Sequence, residues 1–265
     1  MKKALSISLI TILLFISACK KDKGDPPVLP PAESMTIDFS NFDVQTKGEM
    51  SKGTANSNWA FAAFAAGTFR LIIGSTLIVP VTAFHVAIDQ TPTYVSDKNW
   101  QWTYTTTVAS VTYKARLTAL IRATDVEWKM YLTKEGAFTD FLWFEGTSKI
   151  DGTGGQWILY NSYAEQSKIL QIDWTKTGNA MGIIRYTYIK AGDTFKDSYI
   201  DYGLTSNATF NAFYKIHFYN TNASKFSDVD VEWNTTNHSG RIKSTDYLNG
   251  IWFCWDQSRI NSVCQ

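Results

Sequence analysis

From Trp100 to the C-terminus, apolar and polar residues alternate along the chain, and this period of two constrains the fold more than any other feature. In the clearest segment every second residue from Val111 to Ile121 is apolar, and the residues between them are polar except Leu120. Such alternation predicts β-strands with one buried face. Similar segments lie near residues 125–132, 138–146, 155–163, 167–175, 180–190, 197–204, 211–219, 227–234 and 249–255.

Short turn signals separate these segments, as at Lys134-Glu135-Gly136, Thr177-Gly178-Asn179 and Asn249-Gly250. Short links join antiparallel neighbours, so the strands are expected to form a meander. So many strands in one sheet would curl or close on themselves. The sequence therefore predicts a mainly β fold, an antiparallel meander that forms a curved sheet, a half-barrel or a barrel. A further strand is expected at Thr36–Phe42, where apolar and polar residues also alternate.

A different pattern occupies residues 58–90, which are rich in alanine and in large apolar residues. Gly74 and Pro80 interrupt this segment, and proline is tolerated in the first turn of a helix. We therefore predict one or two helices inserted near the N-terminus, with bounds of about 58–73 and 79–90 if there are two. Because apolar residues occur on all sides of these helices, they are expected to be buried within the sheet.

A transmembrane helix is the alternative for this segment, since the apolar run is long enough to span a bilayer. Arg70, Pro80 and His85 fall within it and disfavour that alternative.

The first 18 residues have the three parts of a secretory signal. Lys2 and Lys3 are basic, the residues to Ile16 are apolar, and small residues precede a cysteine. The run Ile16-Ser17-Ala18-Cys19 resembles the lipobox of bacterial lipoproteins. The resemblance implies cleavage before Cys19, attachment of lipid to this residue, and stable anchoring to a membrane by several acyl chains. A plain signal peptide with a chance cysteine is the alternative.

Residues 19–33 follow as a charged and proline-rich tether, and residues 34–265 are expected to form a single domain. Charged residues directly after the lipidated cysteine resemble the export tethers of surface lipoproteins in the Bacteroidota. This resemblance implies a lipid-anchored location at the outer membrane, with the cell surface as the open alternative.

The other two cysteines, Cys254 and Cys264, lie near the C-terminus. An exported chain enters an oxidising compartment, so this pair predicts a disulfide, with two free thiols as the alternative. No histidine or cysteine stands at metal-ligand spacing, so no metal site is predicted.

Charge and motifs narrow the function. The formal net charge is +1 and no block of basic residues appears in the domain, which disfavours nucleic-acid binding. No nucleophile elbow, phosphate-binding loop or zinc-protease motif is present, and no cofactor is predicted. Carboxylates beside tryptophans, as in Glu127-Trp128 and Glu232-Trp233, leave a paired-carboxylate glycosidase as an alternative to a protein without catalytic activity.

One tetrapeptide occurs twice. Asp125-Val126-Glu127-Trp128 returns as Asp230-Val231-Glu232-Trp233, but the glycine–tryptophan pairs that follow are unequally spaced. We interpret the recurring tetrapeptide as a sign of two strands with similar burial requirements rather than of an internal repeat.

Aromatic residues make up 15% of the chain, with 10 Trp and 13 Tyr, which is enough to fill a core and also to line a binding surface. His85, on the helical segment, is a further ligand-binding candidate, although a pair with Asp89 would also explain it. The aromatic binding candidates are Trp100, Trp102, Tyr104, Trp143, Tyr160 and Tyr163.

Three functions remain open. The first is a non-catalytic envelope lipoprotein that binds an apolar or amphipathic ligand in a concavity lined by helices. This outline is similar to that of the lipoprotein carriers and lipoprotein receptors of the bacterial envelope, in which a half-barrel covers helices. The second is a surface glycan-binding module, and the third is a structural or partner-binding accessory of an outer-membrane complex.

Overall fold

The structure, a computed structural model, describes residues 23–42, 57–178, 180–246 and 249–264. The signal segment 1–18 and Cys19 lie outside the described residues. The described chain consists of an N-terminal segment, one α-helix (α1, Ser57–Ile88) and a large antiparallel sheet.

Fourteen antiparallel strands form one sheet, and their order in the sheet is their order in the chain. The prediction of a mainly β antiparallel meander is therefore confirmed. Among the described residues β1 and β14 each pair with one neighbour, so the sheet is not closed. The strands are β1 (Thr93–Ser96), β2 (Asn99–Val108), β3 (Val111–Ile121), β4 (Asp125–Lys134), β5 (Phe138–Lys149), β6 (Gly154–Tyr160), β7 (Lys168–Thr177), β8 (Ala180–Tyr188), β9 (Tyr199–Leu204), β10 (Ala212–Asn220), β11 (Lys225–Trp233), β12 (Gly240–Ser244), β13 (Phe253–Trp255) and β14 (Asn261–Ser262).

One face of the sheet, here called the inner face, carries the core. On β4, for example, Val126, Trp128, Met130 and Leu132 are buried, and the residues between them are partly exposed. The core is rich in indole rings, which bury a large apolar area each. The buried tryptophans are Trp59, Trp100, Trp102, Trp128, Trp157, Trp174, Trp233 and Trp255.

Glycines on the inner face make room for some of these rings. Gly146 on β5 pairs with Trp128 on one side and Trp157 on the other, and we call these three residues the first Trp–Gly–Trp unit. A Cβ added at Gly146 would lie 2.5 Å from Cε3 of Trp157, which is closer than carbon atoms approach. The glycine therefore lets the indole ring lie directly on the backbone of the next strand.

The same arrangement occurs near the C-terminus. Gly240 on β12 pairs with Trp233 and Trp255, and this set is the second Trp–Gly–Trp unit. A Cβ at Gly240 would lie 2.8 Å from Cε2 of Trp255.

Residues 57–88 form one continuous helix, which is one of the two predicted alternatives, and the division into 58–73 and 79–90 is wrong. Pro80 lies inside α1 and is buried, and Leu77, Ala83 and Phe84 around it are buried as well. A proline removes one backbone hydrogen bond, and this loss is offset here by the packing of the neighbouring turns in the core.

The expectation that α1 is buried on all sides is also wrong. One side of the helix packs in the core, but Phe64, Leu71 and Ile78 on the other side are 57%, 78% and 56% exposed. Among the described residues, no helix combines the length and the apolar character that a membrane crossing requires.

The first half of α1 packs near the end of the sheet, and the second half packs near its beginning. The Asn58 side-chain amide donates to the Cys254 carbonyl oxygen at 2.9 Å. At the other end, the Tyr104 hydroxyl of β2 donates to the Ala83 carbonyl oxygen. Helix α1 thus contacts strands close to both edges of the sheet.

The N-terminal segment crosses the inner face, and the strand predicted at Thr36–Phe42 is wrong. Short 3₁₀ turns occupy Ala32–Met35 and Ser40–Phe42 instead. Polar groups of this segment accept hydrogen bonds from core side chains, such as Trp157 Nε1 to Ser34 Oγ at 3.2 Å. Because this segment lies on the face of the sheet and not at its edge, it forms hydrogen bonds with side chains of the core and not with the backbone of a neighbouring strand.

The domain begins before residue 34. Pro30 is buried and Leu29 packs against the core, so the last residues of the segment assigned to the tether lie on the domain.

The predicted disulfide between Cys254 and Cys264 is present, with a Cα–Cα distance of 5.2 Å. It joins β13 to the residues that follow β14.

Candidate functional site

An apolar groove runs between α1 and the N-terminal segment. Its volume is about 330 Å³, at the lower end of the range typical of small-ligand sites. Residues 70–82 of α1 form one wall and residues 35–39 form the other. The apolar residues that line it are Met35, Ile37, Phe39, Ile73, Leu77, Ile78 and Val81.

Gly74 leaves room in the helical wall of the groove. No heavy atom lies within 4 Å of the position that a Cβ at Gly74 would occupy. A glycine inside a helix is less favourable than alanine by about 1 kcal/mol, so its presence needs another reason. Here it keeps the middle of the groove open.

Few polar groups reach the apolar groove. Arg70 lies at its lining together with Thr36 and Thr82, and the Thr82 hydroxyl donates to the Ile78 carbonyl oxygen at 2.7 Å. Residues 57–88 contain no Asp, Glu or Lys, so Arg70 and His85 are the ionisable side chains of α1. A guanidinium beside an apolar lining suits an amphipathic molecule with a polar or anionic end.

The exposed apolar residues of α1 extend beyond the groove. Phe64, Leu71 and Ile78 are spaced by seven residues, which returns to nearly the same side of a helix. Apolar residues that line one side of a helix and remain exposed mark a contact surface more often than isolated exposed residues do.

Three of the aromatic candidates belong to the core or to its contact with α1. Trp100 and Trp102 are buried, and the Trp102 ring lies 5.8 Å from that of Trp128. Burial raises the pKa of Tyr104, whose hydroxyl is bonded to α1. These residues therefore hold the domain together and do not present rings to a ligand.

Trp143 and Tyr163 are brought together in a cluster of five aromatic rings. Trp143 occupies a bulge of β5, where the pairing with β4 skips one residue. Its ring contacts Phe138, which stacks on Tyr163 at 5.0 Å. Tyr163 is 47% exposed, so this cluster presents one open ring to solvent.

The remaining two candidates lie elsewhere. On the outer face of the sheet, the Tyr160 hydroxyl donates to Glu145 Oε1 at 2.8 Å. Burial and this carboxylate raise the pKa of Tyr160 to about 12. On α1, His85 Nε2 lies 3.3 Å from the Ala32 carbonyl oxygen. The seven candidates do not form one site.

The carboxylates beside tryptophans are engaged in polar contacts across the outer face. Glu127 pairs with Arg122 at 2.9 Å, and Glu232 pairs with Arg241 at 2.6 Å. Asp173 accepts hydrogen bonds from two glutamine side chains at 2.7 Å each. Among the described residues there is also no group of three or more side chains that would hold a metal ion.

The apolar groove was not predicted from the sequence. The seven-residue spacing of Phe64, Leu71 and Ile78, in a segment without acidic residues, is the signal that would have indicated an exposed apolar side of α1.

No family model, no curated protein and no solved structure matches this chain. The geometry of the groove is therefore the main guide to function.

Proposed function

We propose that this chain is a lipid-anchored protein of the bacterial envelope, without catalytic activity, that binds an apolar or amphipathic ligand in the apolar groove. The observation that carries the proposal is the groove itself, an open apolar site along α1 with Arg70 at its lining. The lipobox resemblance at Cys19 supports anchoring at the outer membrane, with the cell surface as the alternative.

We further infer that the sheet bends around α1 as a half-barrel. Contacts of α1 with β2 and β3 near one edge and with β12, β13 and β14 near the other support this shape. A ligand inside this half-barrel is not favoured, because tryptophan rings and the N-terminal segment fill the inner face. The proposed ligand site lies instead between α1 and the N-terminal segment, where both core residues such as Leu77 and the exposed Ile78 line it.

The test is native mass spectrometry of the mature chain purified from its own envelope. We expect a reproducible non-covalent mass that organic extraction removes, and a covalent lipid mass on Cys19 that survives extraction. The first mass reports the groove and the second reports the anchor, so each part of the proposal is tested separately.

A matched pair of variants assigns the non-covalent mass to the groove. Gly74→Trp fills the middle of the groove, and we expect the extractable mass to disappear. Gly67→Trp is the control, because Gly67 lies seven residues earlier on the same side of α1, outside the groove, and also has free space around it. The absence of any extractable mass, or its equal retention in both variants, would contradict the proposal.

A further inference from the structure

A second pocket, here called the aromatic pocket, lies beside the first half of α1. Its volume is about 330 Å³. Four phenylalanines from three elements line it: Phe61 and Phe64 of α1, Phe195 of the link between β8 and β9, and Phe218 of β10. The other side of the pocket is polar and includes Ser244 and Asp246, at the end of β12.

The rings of this pocket are more exposed than core packing would allow. Phe64 is 57% and Phe195 is 39% exposed. Exposure of aromatic area to water is unfavourable by about 25 cal/mol for each Å². Two exposed rings from distant parts of the chain, together with a third on β10, therefore form a surface suited to stacking.

Hydrogen-bonding groups face the same space. The Ser227 hydroxyl donates to Asp246 Oδ2 at 2.6 Å, and Lys225 pairs with Asp246 Oδ1. These two contacts lower the pKa of Asp246, so the carboxylate stays ionised and accepts further hydrogen bonds. Ser244, which is 3% exposed, adds a hydroxyl to the polar side of the pocket.

We infer that the aromatic pocket binds a carbohydrate ring. A sugar presents apolar C–H faces, which pack on phenylalanine rings, and hydroxyl groups, which donate to a carboxylate such as that of Asp246. A phosphorylated ligand fits less well, because the lysine nearest to the pocket already pairs with Asp246. A purely apolar ligand would displace water from the polar side of the pocket, at Ser244 and Asp246, without replacing its hydrogen bonds.

This site is separate from the apolar groove. Among the described residues none lines both sites: on α1, Phe61, Phe64 and Thr68 line the aromatic pocket, and Arg70 and residues after it line the groove. The inference therefore goes beyond the proposed function, and each can fail without the other.

The experiment is a glycan array probed with the labelled mature chain, followed by calorimetric titration with the best free oligosaccharide. We expect Phe195→Ala and Asp246→Asn each to weaken binding about tenfold. Asp246→Asn keeps the shape of the side chain, so it tests the site even where Phe195→Ala lowers the melting temperature. Tyr163→Ala is the control, because it removes the exposed ring of the other aromatic cluster.

Loss of binding in both pocket variants, with unchanged binding in Tyr163→Ala, supports the inference. Three results overturn it: no glycan bound above background, unchanged affinity in Asp246→Asn and Phe195→Ala, or loss of affinity in Tyr163→Ala alone. The extractable mass of the groove ligand is measured in the same preparations, so failure of the proposed function is recognised independently.

Discussion

The two Trp–Gly–Trp units have the same inner-face construction in different parts of the sheet. In both, the glycine pairs with two tryptophans across neighbouring strands. The recurring tetrapeptide Asp-Val-Glu-Trp lies on the first strand of each unit, β4 and β11. In both units a glycine thus makes room for indole rings on the inner face, which is consistent with similar burial requirements of the strands.

The units differ in what covers them on the inner face. In the first unit Phe84 of α1 lies 5.5 Å from the Trp157 ring. In the second unit Phe42 of the N-terminal segment lies 5.1 Å from Trp233 and 6.1 Å from Trp255. The phenylalanine that packs on the tryptophans thus comes from the helix in the first unit and from the N-terminal segment in the second.

The units differ more on the outer face and at their edges. The first unit lies on β4, β5 and β6, each paired on both sides, and its outer face is an open polar depression of about 270 Å³. The second unit includes β13, which has three residues and is followed only by the short β14. There the disulfide holds the edge, and Arg241 lies 4.2 Å above the Trp252 ring. The same core construction is therefore supported by a disulfide where it lies at the edge of the sheet and has fewer paired strands.

The largest effect on the free energy of unfolding is expected when this disulfide is removed. Replacing Cys254 and Cys264 by serine opens a loop with a sequence separation of 10, and chain-entropy arguments predict a loss of about 3 kcal/mol in the free energy of unfolding. The measurement is denaturant unfolding, together with hydrogen exchange. We expect exchange to rise in β12 and β13 and to stay unchanged in β5 and β6. Equal increases in both units would contradict the comparison.

A smaller effect is expected when each glycine gains a methyl group. Gly146→Ala forces a Cβ against Trp157, which is held on both sides, and should lower the free energy of unfolding by about 2 kcal/mol. Gly240→Ala should lower it by about 1 kcal/mol, because Trp255 lies near the chain end and is able to shift. Thermal or denaturant unfolding measures both.

Gly67→Ala is the control for this pair, since free space surrounds Gly67 and alanine favours a helix. We expect it to stabilise the protein slightly. A larger decrease in the free energy of unfolding for Gly240→Ala than for Gly146→Ala would contradict the expectation that Trp255, near the edge of the sheet, shifts more easily than Trp157.

The smallest expected effect concerns the outer face of the first unit. Burial alone would raise the pKa of Glu145, but hydrogen bonds from Tyr160 and Lys168 outweigh it and hold the pKa below its ordinary value of 4.5. A carboxyl with a lowered folded pKa stabilises the protein above its unfolded pKa, and this contribution is lost as the pH falls through the folded pKa.

Glu145→Gln should therefore lower the free energy of unfolding by about 0.5 kcal/mol at pH 6, a value reduced by solvent screening. The difference from the unaltered chain should shrink as the pH is lowered below 4.5. Glu135→Gln, in the exposed turn after β4, removes the same charge outside this network and is the control. A pH-independent difference for Glu145→Gln would show that its carboxylate has no role in this network.

The strands were predictable because the period of two is a local property of the sequence. Val126, Trp128, Met130 and Leu132 fall on the buried face as the alternation indicates. The continuation of the helix through Pro80 was not predictable from the sequence, because packing with distant strands decides whether a helix continues. The same limit applies to the aromatic candidates: residue type indicates that a ring such as Trp102 is suited to a ligand, but pairing with distant strands determines that it is buried.

The strand order has a consequence for how the chain reaches this fold. Each strand pairs only with its neighbours in sequence, so the sheet is able to grow hairpin by hairpin without long loop closures. The N-terminal part, in contrast, makes contacts that are distant in sequence. Asn58 bonds Cys254 and Asn41 bonds His238, across separations of 196 and 197 residues. The part of the domain that is synthesised first therefore docks last, and until then both apolar sides of α1 remain exposed.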